Sequence, residues 1–180
     1  QTADGVIDVN SDATIRSLAF DTSLGTLNVE ALQTLTLQSD NSTAVVTFGS
    51  DSNLTGEGRV LFSGTQTLNL ASPFALDATS VEVDLGNGSV TVNGANLSIA
   101  TGGSLGLNSD TVNADLDNAG ALRVTTNTST INGAFDNSGQ LSIEGTASTH
   151  VTLTVASGFM NTGTITLDNV ASTARNETLN

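Results

Sequence analysis

Two sets of carboxylates in this chain stand close enough in sequence to act together. Asp115, Asp117 and Asp136 gather about a repeated phrase in the last third, and Asp4, Asp8 and Asp12 follow one another at four-residue spacing near the start. A pair of carboxyl groups several ångströms apart, with acidities pushed in different directions, can cleave a glycosidic bond. In a coiled chain such a pair can come from successive turns. Enzymes that cut acidic sugars also need cations to hold the substrate's carboxylates, and here there is no lysine. The four arginines, Arg16, Arg59, Arg123 and Arg175, are scattered. The carboxylates therefore read as solvated corner residues, with a polysaccharide-cleaving enzyme as the alternative.

Other reactive groups are sparse. His150 is the one histidine, and in Thr149-His150-Val151-Thr152-Leu153-Thr154-Val155 it alternates with the apolar residues, so it points outward with the threonines. No Gly-x-Ser-x-Gly phrase accompanies it, and there is no cysteine for a thiol site or a disulfide. The expectation is a protein without catalytic residues and without a cofactor. A calcium reading is open for Asp8-Val9-Asn10-Ser11-Asp12, which offers alternating oxygen ligands but lacks the glycine and closing glutamate of an EF-hand loop.

With Lys+Arg 4 against Asp+Glu 18, the net charge is -14. Such a surface repels phosphate backbones and anionic lipid, which excludes nucleic acid as a partner and suits a salty, extracellular setting. No run of about 18 apolar residues is present to insert into a membrane. The chain opens at Gln1 without a methionine and reads as one segment, residues 1–180, cut from something larger.

The elements that must position these residues are strands. Pairs such as Leu27/Val29, Leu35/Leu37, Val90/Val92, Leu97/Ile99, Leu122/Val124, Leu141/Ile143 and Ile165/Leu167 are each split by one polar residue, the period of a half-buried strand. Gly, Asn, Asp, Ser and Thr fill the gaps, and nothing repeats at helical spacing. Aromatic residues make up 3% of the chain, with six Phe and no Trp or Tyr, a palette for thin stacked layers rather than one thick core.

One phrase returns three times: Leu116-Asp117-Asn118-Ala119-Gly120-Ala121-Leu122, Phe135-Asp136-Asn137-Ser138-Gly139-Gln140-Leu141 and Phe159-Met160-Asn161-Thr162-Gly163-Thr164-Ile165. Asn118 to Asn137 is 19 residues and Asn137 to Asn161 is 24, yet the internal spacing of the phrase is constant. A solenoid absorbs the difference in a loop and keeps the corner in register. The expected fold is all-β, a right-handed parallel β-helix, three-sided, with roughly eight rungs of about 22 residues. In it Asn118, Asn137 and Asn161 form a ladder of side-chain amides at one corner. Gly120, Gly139 and Gly163 supply the corner's backbone freedom, including positive φ. Leu116, Phe135 and Phe159 form a core stack.

The corner phrase resembles the repeats of bacterial right-handed parallel β-helix adhesins, the autotransporter passengers and filamentous-haemagglutinin-like surface proteins, over about residues 114–167. The resemblance implies a secreted or cell-surface stalk or adhesive segment. A coil cut between turns exposes unpaired strand edges, so neighbouring β-helix segments of the same or an identical chain are expected partners, with cell-surface carbohydrate as a further one. The resemblance brings no catalytic residue. Outward threonines, Thr152 and Thr154 or Thr164 and Thr166, raise a further alternative, an ice-binding solenoid. That reading needs a flat array in nearly every rung, and the uneven rung lengths count against it.

Overall fold

Sequence of period two becomes short strands because every second side chain can be buried on one side of a sheet while the others stay in water. The structure, a computed structural model, describes residues 5–16, 19–21, 25–39, 44–77, 80–86, 88–145, 149–169 and 176–180. Through these residues 24 strands follow one another with no helix among them. Neighbouring strands in each sheet are three apart in chain order, and every pairing is parallel. The fold is a parallel β-solenoid whose turns each lay down three strands.

The second and third sheets are each eight strands deep, running from Ala13–Arg16 to Thr164–Asn169 and from Ala19–Asp21 to Glu177–Leu179. The first sheet is divided. Three strands, Gly5–Val9, Gly25–Val29 and Asn53–Gly56, form one stack, and five, from Phe74–Leu76 to Gly158–Asn161, form another. Pro73 stands immediately before the first strand of the second stack; lacking an N–H, it cannot extend a ladder there.

Eight stacked strands mark seven turns, which at about 4.8 Å per strand rise about 34 Å. The roughly eight rungs expected become about seven because several turns run long: Thr26 pairs with Asn53 and Val151 with Glu177. The right-handed coil expected is consistent with this topology, since parallel crossovers are right-handed almost without exception.

Inward residues of all three sheets meet in one continuous apolar column. Leu27, Val29, Leu35, Leu37, Val60, Phe62, Val83, Leu85, Leu105, Leu122 and Ile143 are among its buried members. The rings of Phe48 and Phe74 stack within it at 4.9 Å. No single turn could bury these side chains alone; each is covered by its neighbours, which is how a solenoid is stabilised.

Candidate functional site

The repeated corner is built by the last strands of the first sheet. In-register pairing places Leu116 beneath Phe135 and Phe135 beneath Phe159, and likewise Asn118, Asn137 and Asn161. Asn118 Nδ2 donates to Asn137 Oδ1 at 2.6 Å, and Asn137 Nδ2 donates to Asn161 Oδ1 at 2.6 Å. The second amide hydrogen of Asn118 reaches the backbone carbonyl of Gln140 at 2.9 Å. Asn118 and Asn137 are buried, so these bonds satisfy groups that water cannot reach. The ladder runs one way: Asn118 pairs on its other side with Ile99, which has nothing to donate, and Asn118 Oδ1 is left buried without a partner.

Two details of the corner differ from expectation. Gly120, Gly139 and Gly163 are absent from the residues with positive φ. What requires glycine is the turn beneath: a Cβ on Gly139 would meet the carbonyl oxygen of Gly120 at 2.3 Å, and one on Gly163 that of Gly139 at 2.2 Å. These are contact positions rather than left-handed ones. Second, Leu116 and Phe135 are fully buried, whereas Phe159 is 41% exposed. Its ring stacks on Phe135 at 5.2 Å, but among the described residues its strand pairs on one side only, so within them the stack is covered from below and open above.

The carboxylates flagged by the sequence lie outside. Asp117 and Asp136 are register neighbours on successive turns, both exposed. Asp117 Oδ2 accepts from Asn96 Nδ2 at 2.8 Å, and Asp115 Oδ1 accepts the N–H of Ala134 at 2.8 Å. Asp115 thus ties a strand to the turn before it. Of the other trio, Asp4 lies outside the described residues. Asp8 accepts from Asn28 Nδ2 at 3.1 Å, and Asp12 accepts the N–H of Thr34 at 2.8 Å. Among the described residues no three acidic or histidine side chains gather as a metal-binding group. His150 is exposed, and its Nδ1 accepts the N–H of Asn176 at 3.1 Å.

A shallow groove crosses the outer side of the second sheet, lined by Arg123, Gln140, Ser142, Glu144, Thr164 and Thr166. Arg123 Nε donates to Glu144 Oε2 at 2.7 Å, and Glu144 pairs in register with Asp168. A carboxylate and an arginine therefore do come together, with Asp168 as the glutamate's register neighbour on the next turn, at a place the sequence did not single out. Their chemistry points away from acid catalysis. Burial pushes the Glu144 carboxyl up, but the hydrogen bonds from Arg123 and Ser142 and the charge of Arg123 outweigh it and hold the group below its ordinary value. A general acid at neutral pH needs the opposite shift.

The buried carboxyl is elsewhere, and sequence reasoning missed it. Asp110 is 1% exposed. Its Oδ1 accepts the N–H of Val90 on the turn below at 2.8 Å, Oδ2 accepts the N–H of Asn108, and its own N–H donates to the hydroxyl of buried Ser129 at 3.2 Å. Desolvation by burial raises it to about 7, against the lowering by the Asn108 and Val90 N–H groups and with a small further push from the negative charge of Asp84. The signal was present, because Asp110 and Ser129 each lie two residues before an inward apolar residue, Val112 and Ile131. Period two already placed them inside. Gln66, also buried, is satisfied in the same manner by the carbonyls of Leu37 at 3.0 Å and Ser63 at 3.2 Å.

A second amide ladder also escaped notice. On the outside of the third sheet Asn113 Nδ2 donates to Asn93 Oδ1 at 2.6 Å and Asn132 Nδ2 to Asn113 Oδ1 at 2.7 Å. The phrases Val92-Asn93, Val112-Asn113 and Ile131-Asn132 carry it.

No family model matches the chain, and neither a curated protein nor a solved structure matches it.

Proposed function

We propose that this chain is a stiff spacer within a secreted or cell-surface bacterial protein of the adhesin kind its corner phrase resembles, with one or more weak, multivalent binding faces along its sides. The observation that carries the reading is the pair of uninterrupted eight-strand parallel ladders. Every turn is hydrogen-bonded to the next along two sheets, so the rod holds its length without a hinge. The surface suits exposure to salt: at a net charge of -14, like charges keep rods from one another and from anionic lipid.

No catalysis belongs to this reading. Several of its acidic side chains serve as ties between turns, and Glu144, beside Arg123, is held below its ordinary carboxyl value rather than above it. Its partners are further turns of β-helix, from the same or an identical chain. Among the described residues, strands Gly158–Asn161, Thr164–Asn169 and Glu177–Leu179 each pair on one side only, and an unpaired strand edge favours pairing with another strand.

Stiffness is directly measurable. Thr14 and Thr166 are exposed outward residues of the same column on the second sheet, joined step by step through Thr36, Leu61, Asp84, Gly106, Arg123 and Ser142. With no native cysteine, Thr14→Cys and Thr166→Cys accept a pair of spin labels cleanly. A single narrow distance distribution centred near the seven-turn rise of about 34 Å is expected. A broad distribution, or one well short of that value, would end the spacer reading.

A further inference from the structure

The outer side of the third sheet carries a regular array that neither the corner phrase nor the acidic residues explain. In-register pairing stacks Thr67, Thr91, Thr111, Thr130 and Thr154 in one column through five successive turns. Two residues beyond the first four of these threonines stand Asn69 and Asn93, within their strands, and Asn113 and Asn132, each just past its strand's last residue. The pattern Thr-x-Asn recurs at intervals of 24, 20 and 19 residues, so the uneven lengths are taken up away from this sheet and the array stays in register. Thr152 belongs to a flanking column with Thr128 and Thr178. Thr164 and Thr166, by contrast, lie on the second sheet, so the two outward rows named from the sequence belong to different faces.

Three properties define what this face can hold. Its nine array residues, five threonines and four asparagines, carry no charge, and the turn before them continues the two columns with Val45 and Thr47. Its hydroxyls are available: among the described residues no protein hydrogen bond occupies the hydroxyl of Thr67, Thr91, Thr111, Thr130 or Thr154. It is also preorganised. Threonine is stiff at χ1, the backbone ladder sets the pitch, and the Asn93-Asn113-Asn132 ladder is the kind of side-chain ladder that keeps a stack of strands flat. The repeats are about 4.8 Å from turn to turn and about 6.6 Å between alternate residues of a strand.

A rigid array with two fixed repeats recognises a ligand that is periodic in the same two directions. Each available hydroxyl fixes one water where it stands, and the methyl beside it leaves the next water to bond to its own kind. Waters held in this way would repeat at the array's own two spacings, a two-dimensional oxygen lattice of the kind a face of ice presents. No ordering cost falls on the protein, because the side chains are already in place. A sugar chain would call for aromatic platforms and convergent polar groups, whereas Phe48, Phe62, Phe74 and Phe135 are all in the core. We propose that the Thr-x-Asn face of the third sheet binds the surface of ice. This rests on the reading of the chain as a rod with binding faces, and names the ligand of one of them.

The test uses the whole 180-residue chain with a fluorescent label, Thr111→Lys in the middle of the array, Thr91→Lys as a second variant there, and Thr36→Lys on the second sheet as control. Far-UV circular dichroism and thermal midpoint select the variants that fold. The readouts are incorporation into slowly growing polycrystalline ice and inhibition of its recrystallisation. The native chain and Thr36→Lys should enter ice severalfold more than either array variant and should alone slow recrystallisation. Exclusion of the native chain from ice, or equal behaviour of array variants and control, overturns the proposal. Retention on cellulose without entry into ice also overturns it and reassigns the face to a glycan. The Thr14 to Thr166 distance is independent of all these outcomes, so failure here is distinguishable from failure of the spacer reading.

Discussion

The side-chain oxygen of Asp110 accepts the backbone N–H of Val90, its neighbour one turn below, at 2.8 Å, and so holds a buried carboxyl group in a column that also carries the buried polar residues Gln66 and Ser129. Its value near 7 makes this one side chain a reporter of the fold.

The sign of the pH effect follows from burial. In the unfolded chain Asp110 releases its proton near the ordinary 3.8, and in the folded chain near 7. Between those values the folded state binds more protons, so this group's contribution to stability is greatest below the lower value and declines as pH rises through the window. Asp110→Asn removes the titration. The thermal midpoint of the native chain, relative to that of Asp110→Asn, should rise as pH is lowered from about 8 to about 5. Using the difference cancels the general relief of charge repulsion. A difference that stays constant over that range would show that Asp110 does not titrate there.

The two amide ladders should differ in worth, because one is buried and the other is wet. Asn137→Ala strips a donor from exposed Asn161 and, in a place water cannot fill, an acceptor from buried Asn118, and should cost about 1–3 kcal/mol. Asn113→Ala breaks the same two kinds of bond on an exposed edge, where water replaces them, and should cost about 0.5 kcal/mol. Urea denaturation of both variants measures the pair. Equal costs would mean that burial does not set the strength of these ladders.

Glycines of the chain should respond to alanine according to what lies beneath them. Gly139→Ala drives a methyl group into the carbonyl of Gly120, 2.3 Å away, and the turns must part; a loss of about 1–3 kcal/mol is expected. Gly158, in the strand Gly158–Asn161, has nothing within 4 Å of the position its Cβ would take. Gly158→Ala should be neutral within about 0.5 kcal/mol. Denaturation midpoints that fall equally in both would refute the contact explanation of the corner glycines.

Much of this architecture is legible in the amino-acid sequence. The inward or outward sense of each side chain is a local property of extended backbone, so Leu122/Val124 and Leu141/Ile143 announce their burial directly. The constant interior of the corner phrase, kept while its spacing changes from 19 to 24 residues, likewise implies turns stacked in register. Asp110 and Ser129 obeyed the same rule, and were missed only because their polarity drew attention away from their place in the alternation.

What the tertiary structure alone decided is which residues are neighbours across turns, and which turn has a cover. Thr67, Thr91, Thr111, Thr130 and Thr154 stand at unequal intervals in the sequence and become a column only once the extra residues have been taken up elsewhere in each turn. Gly139 is indispensable because of Gly120, 19 positions earlier. Phe135 and Phe159 occupy equal places in the phrase, yet one is fully buried and the other 41% exposed. The local period determines the direction of a side chain, but only the stacking of distant segments determines what that side chain meets.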